Sequence, residues 1–168
     1  MDRRTLLKLG LGATVVLAIA GGTMLALQPS LRAGRLEPGA RAVMRAVALA
    51  VLDGALPSTA DARDRAIELH LQRLEAAILA FPASTRDELA RLLSLLASAP
   101  GRRLFARLDN SWSEADVGKV QASLEGLRVS TLALRQQAYH ALRDLTNAAY
   151  FSDPSAWGHM GYPGPSDI

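Results

Sequence analysis

The stretch ARAVMRAVALAVLD, residues 40–53, decides the fold. Arg45 is the only charged residue within 42–52, so a helix formed here is apolar on nearly every side. Pro38 stands near the start of this stretch and Gly54 just past its end, where helices favour these two residues. The sequence therefore predicts a central, buried helix against which the rest of the chain packs.

Helical patterns fill the remainder of the body. Apolar residues spaced three and four apart predict a helix over residues 62–80, and Thr85 with Glu88 predicts a capping box that opens the next helix. Three further helices are predicted: a short one over 102–108 with Leu104, Phe105 and Leu108 pointing inward, a weaker one over 117–126, and a long one over 129–150. No stretch alternates β-branched residues as a strand would. The predicted fold is an all-α bundle of about five to six helices.

Composition limits the classes of protein that this chain can belong to. Its 168 residues, 49% of them hydrophobic, suit one domain with an appendage. The net charge is +3, but beyond the first twenty residues 16 basic residues face 15 acidic ones, so nucleic-acid binding is not expected. With no cysteine, disulfides, thiolate metal sites and covalent haem attachment are excluded in this chain.

The N-terminus has the layout of a twin-arginine export signal. Two arginines precede an apolar pair and a lysine, and an uncharged stretch of nineteen residues, 9–27, follows: the signal residues are Arg3, Arg4, Leu6, Leu7 and Lys8. The alternative is a membrane anchor that is retained, since nineteen residues of helix nearly span a bilayer core of about 30 Å. If the leader is not cleaved, residues 6–27 contact the membrane.

The C-terminal run YFSDPSAWGHMGYPGP, residues 150–165, differs from the body. Its many glycines and prolines cannot continue a helix, whereas its four aromatic rings are unusual for a disordered tail. We expect an ordered, extended segment lying on a surface, and seven residues are its candidate partner contacts: Tyr150, Phe151, Trp157, Tyr162, Pro163, Gly164 and Pro165. That surface is either a partner protein, favoured for Trp157 and Tyr162, or the chain's own core, slightly favoured for Tyr150 and Phe151.

Catalytic and cofactor-binding motifs are not evident. His70, His140 and His159 are too far apart in sequence to form a local ligand motif, and the first two are expected on a helix surface or at the core edge. No phosphate-binding loop, nucleophile elbow or dinucleotide fingerprint is present. We therefore expect no catalytic, cofactor-binding or metal-binding residue in this chain, and no enzymatic activity by the chain alone.

These features divide the chain into four segments. They are a signal or anchor (1–27), a linker (28–39), a helical domain (40–151) and an extended partner-binding tail (152–168).

Four sequence features together resemble one known family. They are the twin-arginine leader, Leu56-Pro57 after the apolar first helix, LRQQAY (134–139) running into AAYF (148–151), and Trp157 followed by GYPGP (161–165). The chain resembles the gluconate 2-dehydrogenase subunit 3 family, the small subunits of periplasmic flavin-dependent sugar and alcohol dehydrogenases. The resemblance is densest in the last thirty residues.

The resemblance implies a non-catalytic accessory role. Such subunits assemble with a large FAD-containing flavoprotein of the glucose-methanol-choline (GMC) oxidoreductase class, often with a multihaem cytochrome c as third subunit. The small subunit carries the large one through the twin-arginine translocase, a role that falls on Arg3 and Arg4. Some relatives carry cysteines that this chain lacks, so a disulfide to the partner is excluded. The alternative function is a stand-alone, membrane-tethered periplasmic protein that binds another molecule through the same tail.

Overall fold

The protein is described by a computed structural model that covers residues 29–161, with backbone only at 158–160. Five α-helices make up most of it: α1 (Pro38–Val51), α2 (Ala60–Leu79), α3 (Ala83–Ala97), α4 (Val117–Arg128) and α5 (Ala133–Phe151). The remaining elements are a two-stranded ribbon of β1 (Leu31–Arg32) and β2 (Arg35–Leu36), a π-helical turn (Gly101–Phe105) and a 3-10 helix (Pro154–Met160). The predicted small all-α bundle is confirmed.

Helix α1 is the centre of the bundle, as the sequence predicts. It contacts each of the other four α-helices. Val43, Met44, Val47 and Ala48 are fully buried along it. Burying a side chain such as valine or methionine contributes about 2 kcal/mol, and the alanines let neighbouring helices approach closely. The core is therefore built around one helix that is apolar over most of its circumference, with Arg41 and Arg45 on its one charged side.

The other helices follow the predicted stripes more closely than the predicted ends. The stripe of α2 is buried at Ile67, Leu71, Leu74 and Ile78. The predicted capping box is wrong, because α3 starts at Ala83, directly after Pro82, and Thr85 lies within its first turn. The amide of Arg86 already donates to the Pro82 carbonyl at 3.1 Å, so the fixed φ of proline sets this start.

The chain between α3 and α4 forms a π-helical turn where the sequence predicts a short helix. The amide of Ala106 donates to the Gly101 carbonyl, five residues earlier. A Cβ at position 101 would stand 1.8 Å from the Leu95 carbonyl oxygen, so only glycine fits there. Leu108 is buried as predicted, but Leu104 is 80% exposed, because the wider turn directs it away from the core.

The segment predicted as a linker, 28–39, packs on the helices over its described part. Leu31 pairs with Leu36 across a tight turn in which Ala33 and Gly34 both have positive φ. The hydroxyls of Ser30 and Ser94 share a hydrogen bond of 2.8 Å. The expectation that no strand forms is wrong here, because a ribbon of two residues a side is too short to show an alternating pattern.

Candidate partner-binding site

The C-terminal end of the described chain turns back onto the bundle. Beyond α5, residues 154–160 form a 3-10 helix, so the expected extended conformation is wrong for this part of the tail. Asp153 explains the difference: its Oδ1 accepts from the amide of Ser155 at 2.9 Å, and its carbonyl accepts from Ala156 at 3.0 Å. Pro154 has the φ that a first helical turn needs. Proline therefore ends the α-helix and starts a tighter one.

Tyr150 belongs to the protein's own core. It is buried, and its hydroxyl donates a hydrogen bond of 2.8 Å to the carbonyl of Ala55, in the α1–α2 connection. Its ring lies edge-on to that of Phe151, with centroids 5.2 Å apart. Burial raises the pKa of the Tyr150 phenol. Of the two interpretations of this residue, the structure favours the one in which it covers its own core.

Removing the Tyr150 hydroxyl should cost about 1 kcal/mol of unfolding free energy. Tyr150→Phe keeps the ring and leaves the Ala55 carbonyl without its donor. Urea unfolding measures the loss, with Tyr139→Phe as the matched control, since no hydrogen bond of the Tyr139 hydroxyl is seen within residues 29–161. Equal stability of the two variants would contradict this account of the α5 end.

Two further contacts fasten the tail to the body. The indole Nε1 of the half-buried Trp157 donates to the Phe151 carbonyl at 2.8 Å. Arg73 on α2 forms an ion pair with Asp153 across eighty positions of sequence. Hydrogen bonds from Ser155, and then the Arg73 charge, lower the pKa of the Asp153 carboxyl. We call the set Tyr150, Phe151, Asp153 and Trp157 the C-terminal anchor.

The remaining predicted contacts lie outside the described residues. These are Tyr162, Pro163, Gly164 and Pro165 in the tail, and Arg3, Arg4, Leu6, Leu7 and Lys8 in the leader. Of the predicted partner contacts, the structure therefore brings Tyr150, Phe151 and Trp157 together at one end of α5. Phe151 and Trp157 are half-buried, so both rings keep part of their surface open to solvent.

His70 is a core residue that the sequence interpretation misplaced. It is fully buried on α2, with its ring centroid 6.3 Å from that of Tyr150. Neither Nδ1 nor Nε2 has a hydrogen-bond partner within residues 29–161. Burial, and then the charge of Arg73, lower the pKa of His70 to about 4. Its position three residues after Ile67 and four before Leu74 was the sequence signal that placed it on the buried stripe.

His70 should make the protein sensitive to mild acid. Its ordinary pKa of 6.5 applies to the unfolded chain, so between pH 6.5 and about 4 the unfolded state binds a proton that the folded state does not. The contribution of His70 to the free energy of unfolding is fully present above pH 6.5. It declines by about 3 kcal/mol in all as the pH falls towards 4.

The substitution His70→Leu should remove this dependence of the unfolding free energy on pH. It should also raise stability at neutral pH, because an unpaired buried polar group is costly. Chemical denaturation between pH 7 and pH 4 measures it, with the exposed His140→Leu as control. A His70→Leu variant whose stability falls with acid as steeply as that of the wild type would refute the assignment.

Charged side chains line one open groove of about 320 Å³ on another part of the surface, between the ribbon, α1 and α2. Arg41 pairs there with Glu68 and with Glu75, the latter at 3.1 Å, and Arg45 pairs with Asp64 at 2.5 Å. Two arginines thus pair with three carboxylates across the helices. Within residues 29–161 no group of three His, Asp or Glu side chains is placed to hold a metal ion, and no helix is long and apolar enough to cross a membrane.

Comparison with known proteins found no family model that matches the chain, no similar curated protein and no similar solved structure. The family resemblance therefore rests on the quoted sequence features alone.

Proposed function

We propose that this chain is the non-catalytic small subunit of a flavin-dependent sugar or alcohol dehydrogenase complex. It stabilises a large GMC-type subunit and carries it across the inner membrane by the twin-arginine route. FAD belongs to the large subunit, and haem c to a cytochrome subunit where one is present. The observation that carries the proposal is the C-terminal anchor, which fixes the start of an aromatic, Gly/Pro-rich tail on a folded bundle.

The anchor suits protein–protein binding for an energetic reason. A free tail loses conformational entropy when it docks, whereas a tail already fastened at one end loses less. The Arg73–Asp153 ion pair and the Trp157–Phe151 hydrogen bond supply that fastening. Partly open aromatic rings such as those of Phe151 and Trp157 are among the side chains that contribute most at interface centres. Tyr162 follows Gly161, the last described residue, and is the next aromatic residue in the sequence.

The leader supports the export half of the proposal. Arg3 and Arg4 precede a moderately apolar stretch, as in signals that the twin-arginine translocase accepts. That route moves folded proteins, and the described residues form one buried hydrophobic core. A chain that folds on its own can bind a flavin-loaded partner in the cytoplasm and lead it through the membrane. The complex then works on the periplasmic side, anchored there if the leader is retained.

Removing this chain from its native host tests the function. We expect flavin-dependent dehydrogenase activity, measured by dye reduction with a panel of sugars and alcohols on the periplasmic side, to disappear. The large flavoprotein should then remain in the cytoplasm or be degraded. Supplying the chain from a plasmid should restore both. Unchanged periplasmic activity for every substrate that the host oxidises would exclude the export role.

A further inference from the structure

Arg135 is a buried cation for which the described protein provides no counter-ion. It lies in the first turn of α5 and is only 7% exposed. Its Nε and Nη2 atoms are buried and have no hydrogen-bond partner within residues 29–161. Placing a charge in such surroundings costs several kcal/mol unless an opposite charge compensates it. An anionic group from elsewhere would therefore stabilise this side chain.

The surroundings of Arg135 add positive rather than negative charge. Burial, and then the charge of Arg107, lower the pKa of Arg135; Arg107 is exposed and held at a φ of +56° after the π-helical turn. The hydroxyl of Ser123 on α4 donates to the Ala106 carbonyl at 2.6 Å, which fixes this segment against α4. A Cβ at Gly126 would stand 3.9 Å from Arg135 Nη2, so the guanidinium lies along α4. The guanidinium of Arg135 therefore lies between α4 and the start of α5.

The shape of the unpaired edge selects the anion. Nε and Nη2 are the two parallel donors of a guanidinium that match the two oxygens of a carboxylate. The first turn of α5 contains no acidic residue and has no side-chain cap, so its partial positive charge is uncompensated too. A carboxylate entering here would meet Arg135 and the start of α5 together.

Exposed apolar side chains on the adjoining segments indicate a protein as the source of that carboxylate. Val129 and Leu132, which connect α4 to α5, are 60% and 62% exposed. Exposed apolar patches on a monomer often mark sites of protein–protein interaction. Arginine beside apolar contacts is also typical of the residues that dominate protein interfaces.

We propose that Arg135 binds the carboxylate of an aspartate or glutamate side chain of the partner subunit, with Leu132 packing against the apolar surface around it. The site lies outside the C-terminal anchor and gives the partner a second point of attachment. The identity of the partner rests on the proposed function, whereas the carboxylate chemistry rests on Arg135 alone. Because Nε and Nη2 are buried, entry of the carboxylate requires a local rearrangement of side chains, which is common at interfaces.

Two substitutions at one position test the site in the complex. Arg135→Met removes the charge at similar length, and Arg135→Lys keeps the charge but loses the paired donors. Each should weaken co-purification with the flavoprotein by at least about thirtyfold. Arg143→Met is the control, since Arg143 lies on the same helix, is half exposed and pairs with Asp144. Arg135→Met should melt no lower than the wild type, because it removes an uncompensated buried charge. If Arg135→Met melts lower than the wild type, the co-purification of Arg135→Lys is the deciding measurement, because this variant keeps the charge and loses only the paired donors.

A titration of the isolated full chain separates this site from the proposed function. The probe is sodium acetate against sodium chloride at equal ionic strength, followed by the arginine Nε–H resonance of Arg135. A saturable shift with acetate alone supports a carboxylate site, even if no flavoprotein co-purifies with the wild type. No shift overturns the site, and so does binding of the flavoprotein by both Arg135 variants as tightly as by Arg143→Met.

Discussion

Replacing Arg3 and Arg4 together by lysine is expected to keep both this chain and its flavoprotein partner in the cytoplasm. The translocase recognises the arginine pair, and lysine preserves the charge without the guanidinium geometry. Because the partner relies on this leader, nearly all periplasmic dehydrogenase activity should be lost while cytoplasmic flavoprotein accumulates. Cell fractionation with activity staining measures both quantities.

The control for this experiment is a pair of arginines in the body. Arg63 and Arg65 lie on α2 with exposed side chains, and their double replacement by lysine should leave export unchanged. Normal export of the flavoprotein with the Arg3/Arg4 variant would show that it crosses the membrane by a signal of its own.

Deleting residues 157–168 is expected to release the large subunit and to leave the small subunit folded. The cut removes Trp157 and everything beyond it, but keeps Tyr150 and Asp153, which hold the end of α5 to the α1–α2 connection and to α2. Loss of an aromatic interface centre weakens binding by at least about 2 kcal/mol, so co-purification should fall by about thirtyfold or more. Circular dichroism should still show a helical protein.

Two smaller changes locate the effect within the tail. Deleting residues 162–168 keeps the Trp157–Phe151 hydrogen bond and isolates the contribution of Tyr162 and the Pro163-Gly164-Pro165 run. Trp157→Ala isolates the indole. Retention of the flavoprotein by the 157–168 deletion would mean that the tail serves the chain's own bundle and that the partner binds elsewhere.

The helical core could be predicted from sequence because it depends on periodicity over long stretches. Helix α1 is apolar on nearly all sides, and the stripe of α2 repeats at Ile67, Leu71, Leu74 and Ile78, so each helix carries its own signal. Such signals are local and need no knowledge of the neighbours.

The features that were missed depend on contacts between distant segments. The π turn exists because Gly101 fits against Leu95, and residues 154–160 are helical because Asp153 binds both Ser155 and Arg73. His70 was predicted on a helix surface or at the core edge, although its position lies on the buried stripe. Arg135 was part of a quoted motif, but its burial against α4 shows only when α4 and α5 are assembled.

The most direct test of the central claim is to purify the full chain, tagged, from its native host under mild conditions. The account predicts that it elutes with one large subunit in fixed stoichiometry, and that the complex shows a flavin absorption spectrum. It also predicts that the 157–168 deletion elutes without that subunit. Elution of the wild-type chain alone and colourless, at a mass near 17.9 kDa, would contradict the proposal that it is the small subunit of a flavoprotein complex.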